Sequence, residues 1–144
     1  MPTINEINEI RRKASAGDKN AQYNLGRMYD LGLGVKQDYV KAFECIEKSA
    51  IQGNVKAQYN LGVMYGRGHG IRQSYVKALE WYKKAAAQGS AKAQYNIGIM
   101  YYNGESVKQN DITAKEWFGK ACKNGLQDGC VAYKELNEQG YRKP

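Results

Sequence analysis

Apolar residues along this chain recur at helical spacing. Ala21, Leu25, Met28 and Tyr29 fall on one face of a helix, with polar residues between them. Near the start, Ile4, Ile7 and Ile10 do the same, and they align with Val40, Phe43 and Ile46. The pattern then repeats as letters: AQYNLGRMY from Ala21, AQYNLGVMY from Ala57 and AQYNIGIMY from Ala93, a period of 36 residues. The match extends further. Lys36-Gln37, Arg72-Gln73 and Lys108-Gln109 align, as do Ala42, Ala78 and Ala114, and Trp81-Tyr82 aligns with Trp117-Phe118. Self-similarity at such a period marks a stacked repeat, in which each unit buries its apolar face against the next.

Each repeat reads as two helices. After the first comes a glycine-bearing loop, DLGLGVKQ in the first copy. The second helix opens at Asp38, Ser74 or Asn110, three residue types that share one ability: a short side-chain oxygen to accept from an orphan backbone N–H. Gly53, Gly89 and Gly125 then mark the stops. Gly26, Gly62 and Gly98 stand inside first helices, where glycine costs about 1 kcal/mol relative to alanine. Incurring that cost three times predicts a neighbouring helix that passes too close for a side chain.

The ends read as half-repeats. Residues 4–16 form an orphan second helix, with Thr3 and Glu6 as a capping box and Gly17 as its stop. Residues 127–139 stand where a fourth first helix belongs, but the motif decays to GCVAYKEL and Lys134 replaces the interior glycine. An atypical last unit is what a cap requires. The expected fold is all-α: a short right-handed solenoid of helix pairs, about seven helices and no strands. It forms one domain, 1–144, with a half-repeat at 4–20, full repeats at 21–56, 57–92 and 93–128, and a capping helix and tail at 129–144.

Composition changes this picture little. The apolar share, 42%, suffices for a core. No apolar run approaches the roughly 20 residues of a membrane helix. The start, MPTINEINEIRRK, has no hydrophobic signal region. The expectation is a cytoplasmic protein if the chain is complete, and a periplasmic or secreted one if a leader has been removed and the cysteines are oxidised. Charge adds a question. Lys and Arg number 22 against 14 Asp and Glu, a net charge of +8. A basic protein attracts nucleic acid, anionic lipid or acidic protein. Here, however, the lysines (Lys41, Lys48, Lys77, Lys83, Lys84, Lys115, Lys120, Lys123) fall mostly on second helices, diluted by Glu44, Glu47, Glu80 and Glu116. That reads as a solvated outer face, since a nucleic-acid surface usually shows denser arginine with interleaved aromatics.

The motif A-x-x-x-L-G-x-M-Y…G-x-G-V…D-Y-x-K-A…W-Y-x-K-A-A-x-x-G, carried by Ala21–Gly53, Ala57–Gly89 and Ala93–Gly125, resembles the Sel-one-like repeat, a relative of the tetratricopeptide repeat. With the half-repeats the resemblance covers nearly the whole chain. Cys45 departs from it, standing where the other copies have Trp81 and Trp117, and Ser106 stands in place of Gly34 and Gly70. Members of the family are mostly adaptors, scaffolds and signalling or host-interaction proteins. The resemblance therefore implies an adaptor that binds a protein or peptide, needs no cofactor and is a monomer.

By the same resemblance, the partner surface is the concave groove lined by first helices. Its slots here are Asn20, Tyr23, Asn24, Arg27 and Asp30, then Lys56, Tyr59, Asn60, Val63 and Gly66, then Lys92, Tyr95, Asn96, Ile99 and Tyr102. Tyr23, Tyr59 and Tyr95 would offer large area at low entropic cost. Asn24, Asn60 and Asn96 can bond both the N–H and the C=O of an extended peptide. Arg27, Lys56 and Lys92 favour an acidic segment or a terminal carboxylate. The plainer alternative is that the repeated Tyr and Asn hold the stack together, while the varying positions Arg27, Val63 and Ile99, and Asp30, Gly66 and Tyr102, set specificity.

The stretch ACKNGLQDGC sets Cys122 in the last turn of one helix and Cys130 in the first turn of the next, within reach of a disulfide across a turn at Gly125. Two reduced, half-buried thiols are the alternative. The spacing is similar to that of the cysteine-rich branch of the family, in which such a pair staples adjacent helices. Cys45 has no evident partner and reads as a core residue. Three scattered Cys and the single His69 do not make a metal-ligand set.

Catalysis finds only weak footholds. Ser74-Tyr-Val-Lys77 fits S-x-x-K of penicillin-recognising enzymes, and cysteine-rich relatives have been associated with β-lactam binding, so a β-lactam-binding or hydrolysing protein is the alternative function. No S-D-N or K-T-G follows, and Asp38 fills the same slot in the first copy. Gly66-Arg-Gly-His-Gly70 lacks phosphate-loop spacing and a preceding strand, so it reads as a turn with His69 solvated. A basic nucleic-acid binder is the weaker alternative.

Overall fold

The computed structural model describes residues 1–142. It has α1 (Ile4–Ser15), α2 (Lys19–Leu31), α3 (Tyr39–Ile51), α4 (Val55–Arg67), α5 (Tyr75–Ala87), α6 (Ala91–Asn103), α7 (Asp111–Lys123) and α8 (Gln127–Arg142). The described residues contain no strand. Among the described residues the helices number eight, one more than the expected count: three pairs and a single helix at each end. They group into two compact units that divide within α5, one running from Met1 to Ala78 and the other starting at Leu79.

In the first unit, α1 packs on α2, α2 on α3 and α3 on α4. Ile7, Leu25 and Met28 form a buried cluster, joined by Ile10, Ala14, Tyr29, Val35 and Cys45. Ile4, on the same face as Ile7 by spacing, is 76% exposed and takes no part in it. Burial pushes the Cys45 thiol above its ordinary range, keeping it protonated and in keeping with a core role. Gly26 lets α3 approach α2: a Cβ there would lie 2.7 Å from Ile46, itself 1% exposed. In the second unit, α6 packs on α7 and α7 on α8. Gly98 serves the same purpose, since a Cβ would lie 2.6 Å from the Phe118 ring.

The caps follow the sequence. Asp38 accepts from the N–H groups of Val40 and Lys41, and Asn110 from Thr113. Thr3 accepts from the Glu6 N–H at 3.2 Å. First helices have caps of their own: Asp18 accepts from Ala21, Asn54 from Ala57 and Ser90 from Ala93. Loop shape repeats as well. Gly34 and Gly70 have φ of +73° and +76°, and Ser106 holds +60° in the same slot. At Gly70 nothing larger fits, because a Cβ would meet the Tyr39 carbonyl.

One recurrent feature had no sequence-level reading. Gln22, Gln58 and Gln94 are buried, and each donates from Nε2 to a carbonyl in the last turn of the preceding second helix, that of Ala14, Ala50 or Ala86. Gln22 and Gln94 also accept, from Gln52 at 2.7 Å and from Asn124 at 2.8 Å. These amides tie one repeat to the next.

Candidate functional site

The outward residues of α2 and α4 make the most complete site. Their inner faces are committed to the core through Leu25 and Met28, and through Leu61 and Met64. Helical spacing therefore turns Arg27 and Asp30, and Tyr59, Asn60 and Val63, to another side. Those five residues line one cleft of about 220 Å³ together with Ile46, Met64, Arg67 and His69. Arg27 donates from Nη1 to Asp30 Oδ2 at 3.0 Å. Asn60 donates from Nδ2 to the Tyr23 hydroxyl at 3.1 Å. His69 donates its backbone N–H to the Met64 carbonyl, and its ring stacks on Tyr39 with centroids 4.7 Å apart. His69 thus sits half-buried against Tyr39 and beside the cleft, not free in solvent as the loop had suggested.

Arg67 and His69 were not among the expected groove residues. Arg67 was within reach of the pattern, because Asn60, Val63 and Arg67 stand at i, i+3 and i+7 on one helix face. His69 reaches the cleft because the loop folds back after Gly68, which no local signal foretold. Tyr23 contributes to the cleft wall only through its bond from Asn60, while Asn24 and Lys56 are exposed outside it.

The second unit carries the remaining expected residues on α6. Tyr95 is half-buried with its ring tilted against Phe118 at 5.4 Å, so much of its surface serves packing. Asn96 and Ile99 are half-buried, and Lys92 and Tyr102 are exposed. Cys122 and Cys130 are joined by a disulfide between α7 and α8, with Cα atoms 4.5 Å apart.

The S-x-x-K pair is otherwise engaged. Ser74 Oγ accepts from the Lys77 backbone N–H at 3.2 Å, as a helix cap. The Lys77 ammonium lies over the Tyr65 ring, 5.5 Å from its centroid. Other second-helix lysines behave alike: Lys41 lies over Tyr29, Lys84 over Trp81, Lys115 over Tyr133 and Lys120 over Trp117. No helix among the described residues is long and apolar enough to cross a membrane.

Comparison with known proteins follows the same lines. The profile of the Sel1 repeat matches residues 19–54, 55–90 and 91–126. No curated protein is significantly similar to the chain. Among solved structures, a protective antigen of uropathogenic Escherichia coli with an SLR fold is 36% identical, with a TM-score of 0.88 over 91% of this chain and 28% of its own. A Sel1 repeat protein from Oxalobacter formigenes is 35% identical, with a TM-score of 0.82 over 87% of this chain and 51% of its own. The chain thus spans between about a quarter and a half of the lengths of these two. Cysteine rich protein B of Helicobacter pylori, at 23% identity and a TM-score of 0.67, shares the fold.

Proposed function

The chain belongs to the Sel1-repeat family, and we propose that it is a protein-interaction module that holds an extended segment of a partner protein against α2 and α4, without turnover. The family's repeats generally mediate protein–protein contacts, and its members are mostly non-enzymatic scaffolds. The observation that carries the reading to this site is the cleft itself: Arg27, Asp30, Tyr59, Asn60 and Val63, five residues at groove positions, converge on one concavity. The cleft offers charged, amide, aromatic and aliphatic groups side by side, the mixture a peptide segment presents. An acidic segment suits it best. The absence of turnover is supported by Ser74, whose oxygen is occupied as a cap. Affinity capture from cell extract tests the proposal, with the wild-type chain and an Arg27→Ala, Val63→Ala variant of unchanged helical signal as baits. A protein held by the wild type and lost at least about tenfold by the variant is the expected result. Identical retention by both baits sinks the cleft as the docking site.

A further inference from the structure

We propose that a groove on α7 and α8 admits a small anionic thiol, which opens the Cys122–Cys130 disulfide by bonding to Cys122. The site lies in the second unit and is independent of the docking cleft. Glu116, Gly119, Lys120, Cys122 and Lys123 of α7 and Tyr133 of α8 line a space of about 560 Å³. That exceeds the roughly 300 Å³ at which small-molecule sites begin, so an amino-acid or short peptide thiol fits. Of the two bridged cysteines, Cys122 is in the lining and Cys130 is not. Gly119 stands one turn before Cys122 on the same face of α7. With no side chain there the approach to Cys122 stays open, and a Cβ would press within 3.2 Å of the Tyr133 ring.

Charge selects the ligand. Two ammonium groups against the one carboxylate of Glu116 leave the lining net positive. The Lys120 ammonium lies over the Trp117 ring, 4.1 Å from its centroid, which holds that cation in place near Cys122. Carboxylates of an incoming thiol pair with Lys120 and Lys123, and the ammonium of an amino-acid thiol pairs with Glu116. The reaction is an exchange. The ligand's thiolate attacks Cys122 Sγ, a new S–S bond forms there, and the Cys122–Cys130 bond breaks with its electron pair leaving on Cys130 Sγ. One disulfide replaces another and one thiolate another, so no oxidant or reductant is consumed. Cys130 suits the leaving role because it stands in the first turn of α8, where free N–H groups favour negative charge, whereas Cys122 stands at the carbonyl end of α7. Asp128 in the same turn opposes that effect, so the groove, which presents Cys122, decides the direction.

The probes are glutathione, 2-mercaptoethanol and cysteamine, which are anionic, neutral and cationic, at matched thiolate concentrations. Early time points are quenched with acidic N-ethylmaleimide and cut with trypsin, which separates Cys122 in residues 121–123 from Cys130 in residues 124–134. Mass spectrometry should find the glutathione adduct on the Cys122 peptide and maleimide on the Cys130 peptide. Opening should be about tenfold faster with glutathione than with 2-mercaptoethanol, and slowest with cysteamine. That preference should shrink to about twofold in a Lys120→Gln, Lys123→Gln variant of unchanged helical signal. It should shrink likewise for the wild type in about 1 M salt, a test that needs no variant. An adduct found chiefly on Cys130 overturns the assignment of the attacked sulfur. Equal rates for the three thiols, or a preference that survives both the variant and the salt, overturns the anionic ligand. A disulfide that none of the thiols opens overturns the inference altogether.

Discussion

A residue's identity here is best judged by what its slot asks of it. Asp38, Ser74 and Asn110 differ in charge, size and nucleophilicity, yet each offers an oxygen to the first turn of a second helix. Ser74 is therefore exchangeable for another cap and not for a small apolar residue. Ser74→Ala should cost about 1 kcal/mol, a few degrees of melting temperature, and Ser74→Asp should restore it. Neither change should alter partner binding. A nitrocefin-hydrolysing activity lost in both variants would show that the hydroxyl does chemistry and defeat this account. Such slots were readable from one sequence because capping is local, set by a residue and the N–H two or three positions on. The cleft was readable in part: the family resemblance offers Tyr59, Asn60 and Val63 as groove slots, and all three line it. Its remaining wall was not, since Ile46 and His69 arrive from other elements and depend on how those elements pack.

At the scale of the helices, packing rests on two devices of unequal visibility. The glycines were evident, because Gly26 and Gly98 stand out against helix propensity and each admits a bulky side chain from the next helix, Ile46 or Phe118. The glutamines were not. Gln94 lies between Ala93 and Tyr95 in a motif with many polar letters, and nothing local marks it as buried. In the structure it donates to the Ala86 carbonyl at 3.2 Å and accepts from Asn124. A donor is essential at that end, which makes the charge of the side chain a test. Gln94→Glu would place a carboxylate beside a carbonyl oxygen in a buried site, at a cost of about 3 kcal/mol at neutral pH. Burial raises the folded-state pKa of such a carboxylate above its unfolded value of about 4.3. The variant should thus regain stability as the pH falls through the folded pKa, with the recovery complete below the unfolded one. Gln94→Leu should lose less and show no such recovery. Melting curves at neutral and mildly acidic pH distinguish the two, and a pH-independent deficit in Gln94→Glu would mean that the amide is not the tie it is taken to be.

For the whole molecule, the question is how far a local change is felt. Within each unit the helices pack chiefly on their neighbours in sequence: α1 on α2, α2 on α3 and α3 on α4 in the first, α6 on α7 and α7 on α8 in the second. In such an array stability is close to a sum of nearest-neighbour contributions, so damage stays near its origin. Five of the lysines that contribute the excess positive charge lie over rings one helix away or on their own helix, so their contacts are local as well. The Cys122–Cys130 disulfide offers the cleanest test, since it links α7 to α8 across a separation of 8 residues. Loop closure of that length is worth about 2.5 kcal/mol in the chain-entropy account. Replacing both cysteines by serine should lower hydrogen-exchange protection in α8 and the last turn of α7 by about that amount. Amides of Leu25 and Met28, in the cluster formed by α1, α2 and α3, should keep theirs. A loss of equal size at those distant amides would show that the chain unfolds as one cooperative unit, and the nearest-neighbour picture would have to be abandoned.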